Sequence, residues 1–113
     1  MKGEGKMTGI ELIAEERKRQ IEKEGFNAEH DEEHGLGTLG SAALCYLEHA
    51  IGRAWLIDDV DDGIEEYIKE EVPNDWPAAW ALEGWKPKDP IKDLVRAGAL
   101  IAAEIDNRLR KKG

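Results

Sequence analysis

Along this chain, a helical spacing of apolar residues is interrupted by polar ones at a few particular places. From Gly9 to Glu24 the residues favour helix. Ile10, Ile13, Arg17, Gln20, Ile21 and Glu24 fall on one side of it, mostly three or four residues apart. Thr8 with Glu11 three residues later reads as a capping box, and Gly25 as the stop. Arg17 and Gln20 break the apolar stripe, and Glu16 lies at its edge. Polar groups on a core-facing stripe are costly unless paired, so these three need partners.

A second helix is predicted over 38–51, with Leu39, Ala42, Ala43, Tyr46, Leu47 and Ala50 as its buried face. Gly40, Ser41, Ala42 and Ala43 are small and permit close approach of a neighbour. Residues 64–72 read as a short amphipathic helix ended by Pro73. The last predicted helix covers 91–110, with Pro90 at its first turn. Its run over 94–105 is apolar on nearly all sides, the pattern of a central buried helix. Glu104 sits inside that run and shares a face with Asp93, Ala97 and Leu100. Asp93 and Glu104 are three turns apart, about 16 Å along the axis, too far to hold one ion together.

No alternating β-branched run predicts a strand. The pattern therefore predicts one all-α domain over 1–113, a small bundle of three to five helices. Residues 1–8 read as a disordered lead-in. The segment 73–90 holds every proline of the chain together with Trp76, Trp80 and Trp85. A loop of that length is expected to pack or to work, and three tryptophans predict a flap packed over the domain.

Composition narrows the function classes. The chain of 113 residues carries a net charge of −9. Duplex nucleic acid is not expected as a direct partner, because phosphate binding needs a basic face. No apolar run reaches the roughly 18 residues that cross a bilayer, so no membrane partner is expected. The first residues lack the apolar stretch of a signal peptide, and a single cysteine forms no disulfide framework. A cytoplasmic location is the expectation.

Candidate chemistry gathers in a few groups. The segment 25–37 contains Asp31, Glu32, Glu33 and His34. Carboxylate and imidazole together suit a divalent cation, and an acidic turn before a helix is the simpler alternative. Glu16, Arg17 and Gln20 also leave two arrangements open. Arg17 pairs with Glu104 or Asp93 as a buried ion pair, or Glu16 joins one of those carboxylates around a metal. The acidic run 58–62 does not follow the calcium-loop pattern, since Val60 and Lys69 occupy ligand positions. Trp85 beside Lys86 suggests a base platform next to a phosphate contact, in competition with core filling. Cys45 reads as a buried structural thiol and His49 as a surface or partly buried helical residue. No phosphate-cradling glycine loop or serine elbow is present.

Four ordered fragments carry a resemblance: AEERKRQIEKEGF (14–26), EHDEEHGLGTLGSAALCYL (29–47), the WP and WKP loop (76–87) and KDLVRAGALIAAEIDNRL (92–109). Together they resemble a family of small phage and prophage proteins. That family is linked to the MazG-like, all-α nucleoside triphosphate pyrophosphohydrolases, including their dATP/dGTP branch (MazZ-like). The resemblance spans about 70 residues; 52–72 have no counterpart in it.

The resemblance implies a dimeric or larger helical bundle that holds Mg2+ (or Mn2+) on helix carboxylates. The implied reaction splits a nucleoside triphosphate into monophosphate and pyrophosphate. It also implies roles. Glu16 and Asp93 would be catalytic; Glu16, Asp31, His34, Asp93 and Glu104 would hold metal; Arg17, Gln20, Trp85 and Lys86 would contact the nucleotide. Bound cations would let an acidic protein hold an anionic substrate. Two departures bear on this. The ExxE and ExxD motifs of the enzymes are broken by Arg19 and Arg96, and Thr38 stands where the phage family usually has Glu. A non-catalytic accessory protein, a small acidic helical binding module, is therefore the alternative expectation. A nucleic-acid mimic is a third, resting on the charge alone.

Overall fold

The computed structural model describes residues 7–24, 37–55, 63–69, 72–77 and 84–112. Four helices are present among them: α1 (Gly9–Glu24), α2 (Thr38–Arg53), α3 (Gly63–Ile68) and α4 (Pro90–Lys112). No strand occurs among the described residues, so the all-α expectation holds. None of the helices described is long and apolar enough to cross a membrane. Asp31, His34, Trp80 and the run 58–62 lie outside the described residues.

Each helix start has a physical reason. The α1 capping box forms as the sequence predicts: Thr8 N donates to Glu11 Oε1 at 2.8 Å, and Glu11 N donates to Thr8 Oγ1 at 3.2 Å. Pro90 opens α4, where its missing N–H is no loss. Asp89 accepts from Lys92 N at 2.8 Å and so caps the same turn. For α2 the preceding residue is Gly37, in the left-handed region at φ 93°, and it offers no side-chain cap. The carboxylate of Glu104 supplies that cap from α4. It accepts from Gly37 N at 2.9 Å and Gly40 N at 3.0 Å.

The α2–α4 pair is the centre of the molecule, and α1 packs on α4. Small side chains let α2 and α4 approach: Ala42 and Ala43 face Ala97 and Ala103, with Leu39 and Leu100 among them. The pair runs antiparallel, since Glu104 meets the start of α2 while Arg96, two turns earlier, meets Tyr46. Gly98 is where α1 crosses closely, because a Cβ there would stand 2.6 Å from Ile13 Cδ1. Three rings close the other side of the core. Tyr46 lies 4.8 Å from Trp85 and 5.8 Å edge-on from Trp76, and the two tryptophans are 5.5 Å apart. These are favourable offset and edge arrangements.

Three expectations are corrected. The helix predicted over 64–72 is shorter, ending at Ile68 with Lys69 N turned back onto Glu66 O at 3.3 Å. Within it only Gly63 and Tyr67 are buried, too small an apolar face to extend it. Leu47, predicted in the buried face of α2, is exposed. The third concerns α4, which is not buried all round: Leu94, Ile101 and Ile105 are exposed, because α1 and α2 cover only part of its circumference.

Candidate functional site

Between α1, the extended segment 84–89 and α4 lies a cleft of about 910 Å³. Leu12, Val95 and Leu100 give it apolar wall. Its polar lining is Glu16, Arg19 and Gln20 from α1, Lys86 and Lys88 from the segment, and Lys92 and Arg96 from α4. Five cationic side chains thus meet one carboxylate, in a chain whose net charge is −9. The volume is that of a small-molecule site, and the local charge has the opposite sign to the protein as a whole.

The segment carrying the lysines is held by its backbone. Tyr46 OH donates to Gly84 O at 3.2 Å and accepts from Lys86 N at 3.2 Å. Arg96 Nη1 donates to Tyr46 OH at 2.9 Å and to Lys86 O at 3.2 Å, and its guanidinium lies 4.9 Å above the Tyr46 ring. Lys88 N donates to both oxygens of Asp93, at 3.0 and 3.2 Å. Backbone alternation then turns Trp85 inward and leaves Lys86 and Lys88 exposed. Neither ammonium forms an ion pair among the described residues, whereas Lys92 reaches Asp89 at 3.9 Å.

On α1, Glu16 is gripped by Arg19 in a two-bonded pair at 2.8 and 2.7 Å. Burial works to raise the Glu16 carboxyl, but the Arg19 bonds and charge outweigh it and hold it below the ordinary value. Gln20 Nε2 donates to Glu16 Oε2 at 3.2 Å. Gln20 is 1% exposed, and its Oε1 is buried with no hydrogen-bond partner among the described residues. An unsatisfied buried acceptor costs about 1–3 kcal/mol.

The remaining carboxylates lie elsewhere. Asp93 is 0% exposed and accepts from Tyr67 OH at 2.6 Å as well as from Lys88 N. Burial is the dominant influence and raises its carboxyl above the usual value. Burial and the bond to Asp93 push the Tyr67 phenol strongly upward. Glu104 accepts from Gly37 N, Gly40 N and, at 2.8 Å, Arg108 Nε. Burial opposes, yet these donors win and hold it below the usual value.

The sequence-predicted site residues therefore divide. Glu16, Gln20 and Lys86 line the cleft. Trp85 is buried against Tyr46, Trp76 and His49, so it fills the core and offers no open stacking face, which corrects the base-platform expectation. Arg17 does not line the cleft; its Nη2 stands 3.8 Å from Asp106, and neither Asp93 nor Glu104 is its partner in that ion pair. Among the described residues no group of three or more His, Cys, Asp or Glu stands close enough to hold a metal ion. Asp93 and Glu104 have both carboxylate oxygens engaged by protein donors. The described carboxylates do not fit a shared Mg2+ or Mn2+ site; Asp31 and His34 lie outside the described residues.

Sequence reasoning missed Lys88, Lys92, Arg96 and Arg19 as cleft residues. The alternation of Lys86 and Lys88 was the available signal.

A second, smaller cavity of about 440 Å³ touches Cys45, Glu48, His49, Arg53 and Asp75. Burial, with Asp75 and Glu48 nearby, pushes the Cys45 thiol up to about 11, which makes it a poor nucleophile. His49 Nε2 donates to Tyr67 O at 2.6 Å and ties α2 to α3. His49, expected at the surface or partly buried, is thus buried and has a structural bond.

Comparison with protein-family models, with curated proteins and with solved structures gives no match.

Proposed function

We propose that the cleft binds a nucleoside triphosphate and that the chain cleaves it to monophosphate and pyrophosphate. One observation carries the binding half: five cations converge around a nucleotide-sized cavity in a strongly acidic chain. Lys86 and Lys88 meet the phosphates, with Arg19 and Lys92 beside them. Arg96 contributes charge while it fixes the backbone of Lys86. The apolar wall of Leu12, Val95 and Leu100 takes the base or sugar.

The cleavage half rests on the resemblance of α1 and α4 to the pyrophosphohydrolase-linked family. Glu16 is the one carboxylate among the described residues lining the cleft, so it is the residue whose loss should stop turnover. The test is a product assay with each dNTP and NTP, with and without Mg2+ or Mn2+. The expected products are monophosphate and pyrophosphate, abolished in Glu16→Ala.

A second reading is a nucleotide-binding module without turnover. The observation favouring it is that Asp93 and Glu104 are both consumed by structural hydrogen bonds. Binding without product formation, whatever the metal, selects it over the enzyme.

A further inference from the structure

Lys86 and Lys88 stand on a segment that is neither helix nor strand, so other groups must hold their backbone. The local sequence supplies part of the stiffness. Pro87 fixes its own φ and drives Lys86 into an extended conformation. Much of the remaining freedom is removed from α2 and α4. Tyr46 OH donates to Gly84 O at 3.2 Å and accepts from Lys86 N at 3.2 Å and from Arg96 Nη1 at 2.9 Å. The same Arg96 nitrogen donates to Lys86 O at 3.2 Å. Lys86 is therefore held at both its N–H and its carbonyl while its side chain stays exposed.

A tyrosine hydroxyl has one hydrogen and two lone pairs. All three are engaged here, and Tyr46 is 2% exposed. The hydroxyl has nothing left for a bound anion and acts on one only through Lys86 and Arg96. The ring has a separate task. It packs 4.8 Å from Trp85 and 5.8 Å from Trp76, contacts that a phenylalanine would also make. Core packing accounts for the ring and not for the hydroxyl, whose partners all belong to the lysine segment or to the arginine that braces it. Without these bonds the ligand itself would have to order the segment, which lowers affinity.

We propose that Tyr46 is a positioning residue of the cleft: its hydroxyl, together with Arg96, sets the place of Lys86 before an anion arrives. This rests on the reading of the cleft as a phosphate site. Its consequence is that affinity can be lost with the number of cleft charges unchanged.

Calorimetric titration of inorganic tripolyphosphate into the full chain, with a chelator present, tests this without involving a base. Tyr46→Phe keeps the ring and every cation. Arg96→Lys keeps the charge but loses the planar guanidinium that lies over the Tyr46 ring and reaches Lys86 O. Each should weaken binding at least about fivefold with helical circular dichroism retained. Gly37→Ala, outside the cleft, should leave affinity unchanged while lowering the urea midpoint. In a Lys86→Ala background the Tyr46→Phe factor should shrink to about twofold or less, because the hydroxyl acts through that lysine. If Tyr46→Phe loses its helical signal, Arg96→Lys is read in its place. Wild-type binding that neither folded variant weakens overturns this inference and leaves the phosphate reading standing. So does an equal Tyr46→Phe factor in both backgrounds, the result of a purely structural role. A wild-type chain that binds neither tripolyphosphate nor any nucleoside triphosphate overturns both.

Discussion

Asp93 and Glu104 sit on the same face of the same helix, both buried, yet their surroundings push them in opposite directions. Near the start of α4, Asp93 meets one phenol and one backbone N–H, and burial prevails. Toward its end, Glu104 meets Arg108 and two N–H groups at the positive end of α2, and the donors prevail. The lesson is that burial alone does not set a carboxylate's role. The number and charge of its donors do. Each carboxylate is also a fastener. Asp93 joins α3 and the lysine segment to α4, and Glu104 joins the start of α2 to α4.

The largest expected effect breaks the Asp93 end. Asp93→Ala leaves Tyr67 OH and Lys88 N without their acceptor, and should lower stability by about 3 kcal/mol in urea unfolding. Asp93→Asn keeps the shape and an acceptor and should lower it less. Glu104→Ala removes the cap of α2 together with the Arg108 pair, and should lower stability by about 2 kcal/mol. A smaller loss for Asp93→Ala than for Glu104→Ala would reverse the comparison.

Stability against pH sharpens it further. Asp93 has a raised folded value, so the folded state holds more protons. Its contribution is greatest below the ordinary aspartate value and declines as pH rises through the raised one. Glu104 has a lowered folded value. Its contribution is full above the ordinary glutamate value and is lost as pH falls through the lowered one. Asp93→Asn should remove the decline on raising pH, and Glu104→Gln should remove the loss on acidification. Urea midpoints across the acidic range check both. The smallest effect is Gly37→Ala. Its φ of 93° strains an alanine by about 1 kcal/mol and loosens only the Glu104 end.

How much was legible in the sequence follows the same division. The Thr8–Glu11 box and Pro90 are local signals, and the structure has both. The polar residues Gln20, Asp93 and Glu104 stood out on apolar faces, and all three are buried. Their partners were not legible, because most are backbone N–H groups or residues distant in sequence, and a backbone donor leaves no residue-type signature. The cap of α2 comes from α4, across the whole intervening chain. The exposure of Leu47 and Ile101 was hidden for a related reason: apolar periodicity reports a face that wants covering and does not say by what. The cleft was visible only as Glu16, Gln20 and Lys86. Arg19 and Lys88 lie beside them in the chain, whereas Lys92 and Arg96 come from α4 and join them only on folding.

The most direct test of the central claim is calorimetric titration of a nucleoside triphosphate into the chain, with a chelator present. The cationic cleft predicts one site per chain and at least about a tenfold weaker affinity for Lys86→Ala/Lys88→Ala. Loss of affinity with rising salt should accompany it. No binding, or affinity unchanged in the folded double variant, would contradict the account.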